Sequence, residues 1–448
     1  MSPVTPVTPV TVPGRSRPAR RPPGPRSLTR QRWLRAVRAE KTRWPTAVLG
    51  FFLVMDGSTM PWWPTTVPPA QLALAGLAAL VLLRITPPTR GTRLLAIALG
   101  CVLGSVLLST LSAGHVEAKR LGTVFAWALV MYGVARGSVS IASLARGIGL
   151  GLFVGLVYGV VFWSSSLYEN RLTGVLGDPN TAGLALATLG PLAVVFLRHR
   201  WTRVALALTV LTAVILTASR TSMFALAVAG VLILLAHKLH PVVVAGLLWL
   251  AVWWLSSTAH SGTAETFFDR GYFADREGSD HLRSMLAPLE EQKRLAGGWF
   301  GHGPGEAYVV LGNDFQMFSH DSYSAFQMEF GKLGVVALVL LALTLLLRQL
   351  HRGGYLDPLM NWPVAACGVV LVCSTNLGES LLTPSAAVAA GALVLVSRHA
   401  RRRRPPTTRP ERPPATGGRQ EAADTHGEVD TPVADAPWNT PAPWQVGS

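Results

Sequence analysis

Charge is what this sequence has least of. Only 14% of its 448 residues are Asp, Glu, Lys or Arg, well under the roughly 25% of soluble domains, and long stretches carry none. That scarcity excludes an ordinary soluble enzyme. Cysteine is scarce too: Cys101, Cys367 and Cys373 are the full set. Each falls inside an apolar segment, which excludes a disulfide framework or a cysteine-based zinc site and leaves three small hydrophobes. Lysine gives way to arginine, while Ala, Gly and Pro abound, the bias of a high-GC bacterial genome. Acids are few, 24 against 40 bases, for a net charge of +16. An excess of that size suits nucleic acid, but its placement does not. Positive charge gathers in Arg15 to Arg43, in short loops such as His199-Arg200-Trp201-Thr202-Arg203, and in Arg401 to Arg404. These are the flanks that the positive-inside rule fills. The partner implied is the lipid bilayer, with anionic headgroups near the tails, and no nucleic acid.

What is abundant is apolar sequence. Half of the residues are hydrophobic, mean hydropathy is +0.36, and apolar runs recur at the length a helix needs to cross a bilayer. No secretory signal is expected ahead of them, because the first 45 residues are rich in Pro and Arg and lack an apolar core. The pattern predicts an all-α, polytopic membrane protein of about twelve spans, near 46–64, 69–84, 93–111, 120–136, 145–164, 180–197, 203–218, 222–236, 241–257, 331–348, 360–375 and 382–397. Flanking them, 1–44 and 398–448 read as disordered basic cytoplasmic tails, and 45–397 as one transmembrane domain. The loops alternate. Arg84 to Arg93, Arg136 to Arg146, Arg198 to Arg203, His237-Lys238 and Arg348 to Arg352 are basic, whereas the longest loop, 257–322, is acidic. Hydropathy and charge thus agree on both termini inside a bacterial cytoplasmic membrane and on a large extracytoplasmic loop between spans nine and ten.

Gly147, Gly151, Gly155 and Gly159 stand four apart in the fifth span, so they line one helix face and admit a neighbouring backbone. Most spans contain no ionisable residue. Ion-coupled transporters keep such residues near the midplane as relays, so chemistry at the outer surface is favoured over transport.

Positive charges on the outer side run against the topology rule, so each needs a reason. They are Lys119, Arg120, Arg171, Arg220, Arg270, Arg276, Arg283, Lys293 and Arg294. The obvious anion there is a phosphate or diphosphate headgroup, which the planar arginine fork grips through two parallel hydrogen bonds. Arg220 lies in the tight turn Ser219-Arg220-Thr221-Ser222, where helix N-terminal amides and the guanidinium can face one anion; snorkelling to headgroups is the plainer reading. Asp178 and Pro179 read as N-cap and first residue of a helix, with Asn180 a possible substrate contact. From Ser279, the spacing of Leu282, Met285, Leu286 and Leu289 predicts a short amphipathic helix on the membrane, bent near Pro288 and carrying Arg283. Gly301-His302-Gly303-Pro304-Gly305 reads as a flexible turn rather than a dinucleotide fingerprint. In Ser319-His320-Asp321-Ser322-Tyr323, Asp321 or Ser322 can cap a helix, setting His320 at its N-terminus. Adjacent Ser-His-Asp letters do not make a triad, and a lone His is commonly a surface or packing residue.

The ordered set resembles the O-antigen ligase and O-antigen polymerase family of bacterial glycan assembly. Its pieces here are Gly177-Asp178-Pro179-Asn180-Thr181-Ala182, Ser219-Arg220-Thr221, Arg283 upstream of Gly301-His302-Gly303-Pro304-Gly305, and Ser319-His320-Asp321-Ser322-Tyr323 followed by Glu329-Phe330-Gly331-Lys332-Leu333-Gly334. Asp178 and Asp321 stand where the family commonly has Asn. The likeness covers roughly residues 46–397. It implies a GT-C-like, metal-independent glycosyltransferase without a cofactor, using a polyprenyl-diphosphate-linked glycan donor and a glycan or glycolipid acceptor, in exopolysaccharide or cell-wall glycan assembly. By the same resemblance Arg220 and Arg283 would bind the donor diphosphate, and His320 would activate the acceptor hydroxyl, with Glu329 as the fallback base. Asn180, Arg171 and Arg120 are further candidate contacts. The alternative is a transporter or channel for a small anion or glycolipid.

Overall fold

A computed structural model describes residues 33–56, 63, 67–84, 87–163, 171–261, 277–311, 315–350 and 359–401. They form thirteen helices of eight or more residues and one hairpin. In chain order the helices are α1 (Trp44–Phe52), α2 (Pro69–Leu82), α3 (Arg93–Ala113), α4 (Ala118–Arg136), α5 (Ile141–Val161), α6 (Pro179–Phe196), α7 (Arg200–Leu216), α8 (Arg220–Leu235), α9 (Pro241–Ser261), α10 (Glu277–Ala296), α11 (Ser322–Leu350), α12 (Asn361–Cys373) and α13 (Pro384–Arg401). Each predicted apolar segment overlaps a helix over at least part of its length. Among the described residues, five stretches are long and apolar enough to cross a membrane: Arg93–Ala113, Ile141–Val161, Pro179–Phe196, Arg220–Lys238 and Ser322–Gln349.

The local chemistry sets the helix ends. Asp178 accepts from the amides of Asn180 and Thr181, both at 3.0 Å, with Pro179 following where no amide is needed. Ser140 and Ser219 cap α5 and α8 through the amides of Ser143 and Ser222. Asp321 caps α11, accepting from Tyr323 at 3.0 Å and Ser324 at 3.1 Å. At the other end of α4, Gly137 turns left-handed at φ 84°, and the Ser138 amide returns to the Gly133 carbonyl, a Schellman closure. The four-residue glycine row of α5 does what its spacing predicts. Gly147 and Gly151 abut the carbonyls of Ala47 and Phe51, so α1 and α5 lie backbone to backbone.

Five expectations need correction. Residues 33–44 are not a disordered tail: 33–39 is helical, Trp33 meets Phe196 and His399, and Arg38 donates to the Val195 carbonyl at 2.8 Å. The tail composition hides three apolar side chains, Trp33, Leu34 and Val37, that pack on the core. The first span ends early. Its helix stops at Phe52, and Asp56 donates its amide to Val175 at 2.8 Å; the rest of 57–64, Trp63 apart, lies outside the described residues. The chain is not wholly α, because Tyr308–Leu311 (β1) pairs antiparallel with Phe315–Phe318 (β2). The tenth helix begins at Ser322 rather than 331, and breaks at Gly331 (φ 64°, ψ −166°), a conformation essentially reserved to glycine. Finally, Gly301 to Gly305 is a packed element. His302 donates its amide to Met328 at 2.8 Å, Gly303 donates to Glu329 at 3.1 Å, and a Cβ at Gly301 or Gly331 would enter the other's backbone.

Contacts between connecting segments sort into two sets. One joins the 33–43 segment, the α2–α3 and α4–α5 connections and the ends of α6, α11 and α13: Arg146 with Glu40 and Thr42, Arg398 with Ala135, Arg348 with Gly91. The other joins the α3–α4, α5–α6, α7–α8, α10–α11 and α12–α13 connections. The first set belongs to the basic loops, and the second to the loops poorer in positive charge.

Candidate functional site

The described residues among those singled out in the sequence lie at the second end, Arg270 and Arg276 falling outside the described residues. Arg171 donates through Nε to the Thr217 carbonyl at 2.9 Å and through a terminal nitrogen to Asn180 Oδ1 at 3.3 Å. This ties the approach to α6 to the end of α7. Gly183, in the first turns of α6, admits the Ser222 hydroxyl and Ser219 so closely that no Cβ would fit. The N-termini of α6 and α8 therefore meet, with Arg171, Asn180 and the Ser219–Ser222 turn at one junction. Ahead of Arg220 the chain passes through Ala218 at φ 48°, buried. A left-handed alanine costs about 1–2 kcal/mol, so the turn that presents Arg220 is held under strain by its surroundings.

Ser222 also lies beside the Cys373 thiol, at the C-terminus of α12. That same end holds the start of α11. Ser322 donates its amide to Ser374 at 2.9 Å and its hydroxyl to Leu377, and the Tyr323 hydroxyl donates to Leu371 at 2.9 Å. The Ser219–Ser222 and Ser319–Tyr323 segments, about a hundred residues apart in the sequence, are thus joined through the last turn of α12. His320 immediately precedes the Asp321 cap, half-buried, at the positive end of the helix dipole.

Behind His320 stands Glu290 of α10, which the sequence reading missed. Its carboxylate accepts the His320 backbone amide at 3.3 Å. Burial pushes the Glu290 carboxyl above its ordinary value and the Asp321 charge adds to this, against the stabilising bonds from His320 and Ser319. Arg283 lies on the same helix, but its side chain is outside the described residues.

Arg120 and Glu329 form the other part of this end. Glu329 is 2% exposed. It pairs with Arg120 at 3.1 Å and accepts the Gly305 amide at 3.2 Å, while Ser109 donates to its backbone carbonyl at 2.6 Å. Arg120 reaches outward to the exposed Glu379 at 3.2 Å. Both oxygens of the Glu329 carboxylate are thus engaged in the interior, one by Arg120 and the other by the Gly305 amide. A small cleft lined by Arg120, Ser322, Phe326, Glu379 and Leu382 opens beside this pair.

Among the described residues no group of three or more His, Cys, Asp or Glu converges as a metal site would require. No family model matches the chain, and no curated protein matches it significantly.

Proposed function

We propose that the chain is a membrane-embedded glycosyltransferase of the O-antigen ligase and polymerase type. On this reading it crosses the cytoplasmic membrane twelve times in a GT-C-like arrangement, with both termini inside, and works on a polyprenyl-diphosphate-linked glycan at the outer face. The observation that carries the reading is the convergence at one bundle end. Segments far apart in sequence supply arginines, two meeting helix N-termini and a histidine, which is what departure of a diphosphate requires. Arg220 and Arg283 neutralise the diphosphate. His320 takes the proton from an acceptor hydroxyl as that oxygen attacks the anomeric carbon. The bond from that carbon to the diphosphate oxygen breaks, and polyprenyl diphosphate leaves. Arg171 orients Asn180, and Arg120 with Glu329 braces the cleft. Sorting of the loop contacts into a basic and a less basic end supports the assigned topology.

The test is release of polyprenyl diphosphate from a lipid-linked glycan by the purified protein in detergent. Release without a gradient is expected. Exchange of intact glycolipid across vesicles with no release would favour the transporter reading instead.

A further inference from the structure

We infer that the outward side of the β1–β2 hairpin is a sugar-binding platform, which holds a pyranose ring of the glycan chain beside His320. The register pairs Tyr308 with Phe318 and Val310 with Gln316, and paired residues project to the same side of a hairpin. The opposite side carries Val309, which is buried against the protein. The Tyr308 side therefore faces outward, and it leaves the Phe318 ring 58% exposed.

An exposed ring on a short hairpin is ordinarily loose, but this one is held. Tyr308 meets it edge to face, with 6.1 Å between ring centres. The Lys293 ammonium of α10 lies 4.1 Å from the centre of the Tyr308 ring and donates to the Tyr308 carbonyl at 2.7 Å. Lys293 also pairs with one oxygen of Glu306 at 3.4 Å. The other oxygen faces His115 at 3.7 Å, and the Tyr308 hydroxyl lies beside the same carboxylate.

The occupant follows from this mixture. A pyranose offers C–H groups on its faces and hydroxyls at its rim. It fits an aromatic ring, whose negative face attracts C–H groups, set among fixed polar side chains. Phe318 supplies the ring. Gln316 on the same side, with Glu306 and His115 at the base of the hairpin, supplies the polar rim. An acyl chain would instead place the Glu306 and Lys293 charges against hydrocarbon, which is costly. Position adds to this. The Ser319 amide donates to the Ala307 carbonyl at 2.9 Å, extending the ladder past Phe318 to the residue before His320. Two residues of extended chain span about 7 Å, the scale of one sugar ring. The inference rests on the glycosyltransferase reading.

The test titrates the purified full chain in detergent with two probes, followed by saturation-transfer NMR. One is oligosaccharide freed by mild acid from the lipid-linked glycan of the producing bacterium, and the other is fragments of its finished polysaccharide. Phe318→Ala should weaken binding several-fold, up to about tenfold. Phe318→Leu should do the same, because it is apolar but lacks the ring, and Phe318→Trp should bind like wild type. Phe315→Ala, on the Val309 side and 62% exposed, should change nothing, and Tm should hold in all four. Loss confined to the first probe assigns the platform to the donor glycan, and loss confined to the second assigns it to the acceptor. No binding of either probe, equal affinity in wild type and Phe318→Ala, or full affinity in Phe318→Leu overturns the inference. The glycosyltransferase reading fails separately, by absence of polyprenyl diphosphate release from wild type.

Discussion

The two ends of the helix bundle use the same side chain for opposite purposes. At the basic end, arginine is spent on carbonyls at helix C-termini: Arg38 on Val195, and Arg398 on Ala135 and Arg136. These contacts satisfy groups the helix leaves open and complement its dipole. At the other end arginine works beside helix N-termini and carboxylates, where the dipole repels a cation and an anion is wanted. Arg120 is balanced by Glu329 and Glu379. Arg171 bridges the two kinds of site, donating to the Thr217 carbonyl that closes α7 and to Asn180 in the first turn of α6, and Arg220 opens α8. A cation at a helix C-terminus explains itself, whereas one at a helix N-terminus asks for an anionic ligand.

Breaking the buried pair should have the largest effect. Glu329→Ala leaves Arg120 in the interior with only the exposed Glu379, and removal of one partner of a buried pair typically costs about 3–5 kcal/mol. Thermal unfolding in detergent checks this, and an unchanged Tm would deny Glu329 its bracing part. Arg220→Ala should cost about 2–5 kcal/mol in donor binding or in the transition state, with little change in Tm. Arg220→Lys should recover only a fraction, because it keeps the charge but loses the fork. Donor titration with both variants separates a diphosphate ligand from a snorkelling arginine. At the basic end Arg398→Ala should remove about 0.3–1 kcal/mol of stability and leave turnover intact. Loss of turnover there would blur the division between the ends.

The smallest effect concerns pH. Burial raises the folded-state carboxyl of Glu290 above its unfolded value, so wild-type stability should fall as pH rises from the ordinary carboxylate range through that raised value. Glu290→Gln, which can still accept the His320 amide, should be the more stable form above this window. The difference should shrink on acidification. Denaturation in detergent across pH follows it, and a constant difference would contradict the direction.

Much of this contrast was legible in the sequence because it rests on local signals. Asp178, Pro179, Ser219 and Asp321 are capping residues at their own helices, and the α5 glycines state a close approach through spacing alone. The basic loops named one end. What escaped notice is long-range. Arg120 and Glu329 are 209 residues apart, so nothing local marks either as the other's partner. Gly331 sits in a run that reads as helix on both sides, and only the approach of Gly301 makes its positive φ visible. The hairpin strands have four residues each, too few for their alternation to stand out. Ala218 gave no cue, since alanine is not the residue that turn chemistry leads one to expect at positive φ.

The central claim is that the chemistry at this end depends on His320, with Glu329 as its brace. The direct measurement is the rate of polyprenyl diphosphate release by purified His320→Ala and Glu329→Gln, each normalised to folded protein. Loss of a general base typically costs about 10²–10⁴-fold, so the account predicts that loss for His320→Ala, with donor binding nearly unchanged and a rate near wild type for Glu329→Gln. An intact rate in the first and a collapsed rate in the second would contradict it and move the base to Glu329.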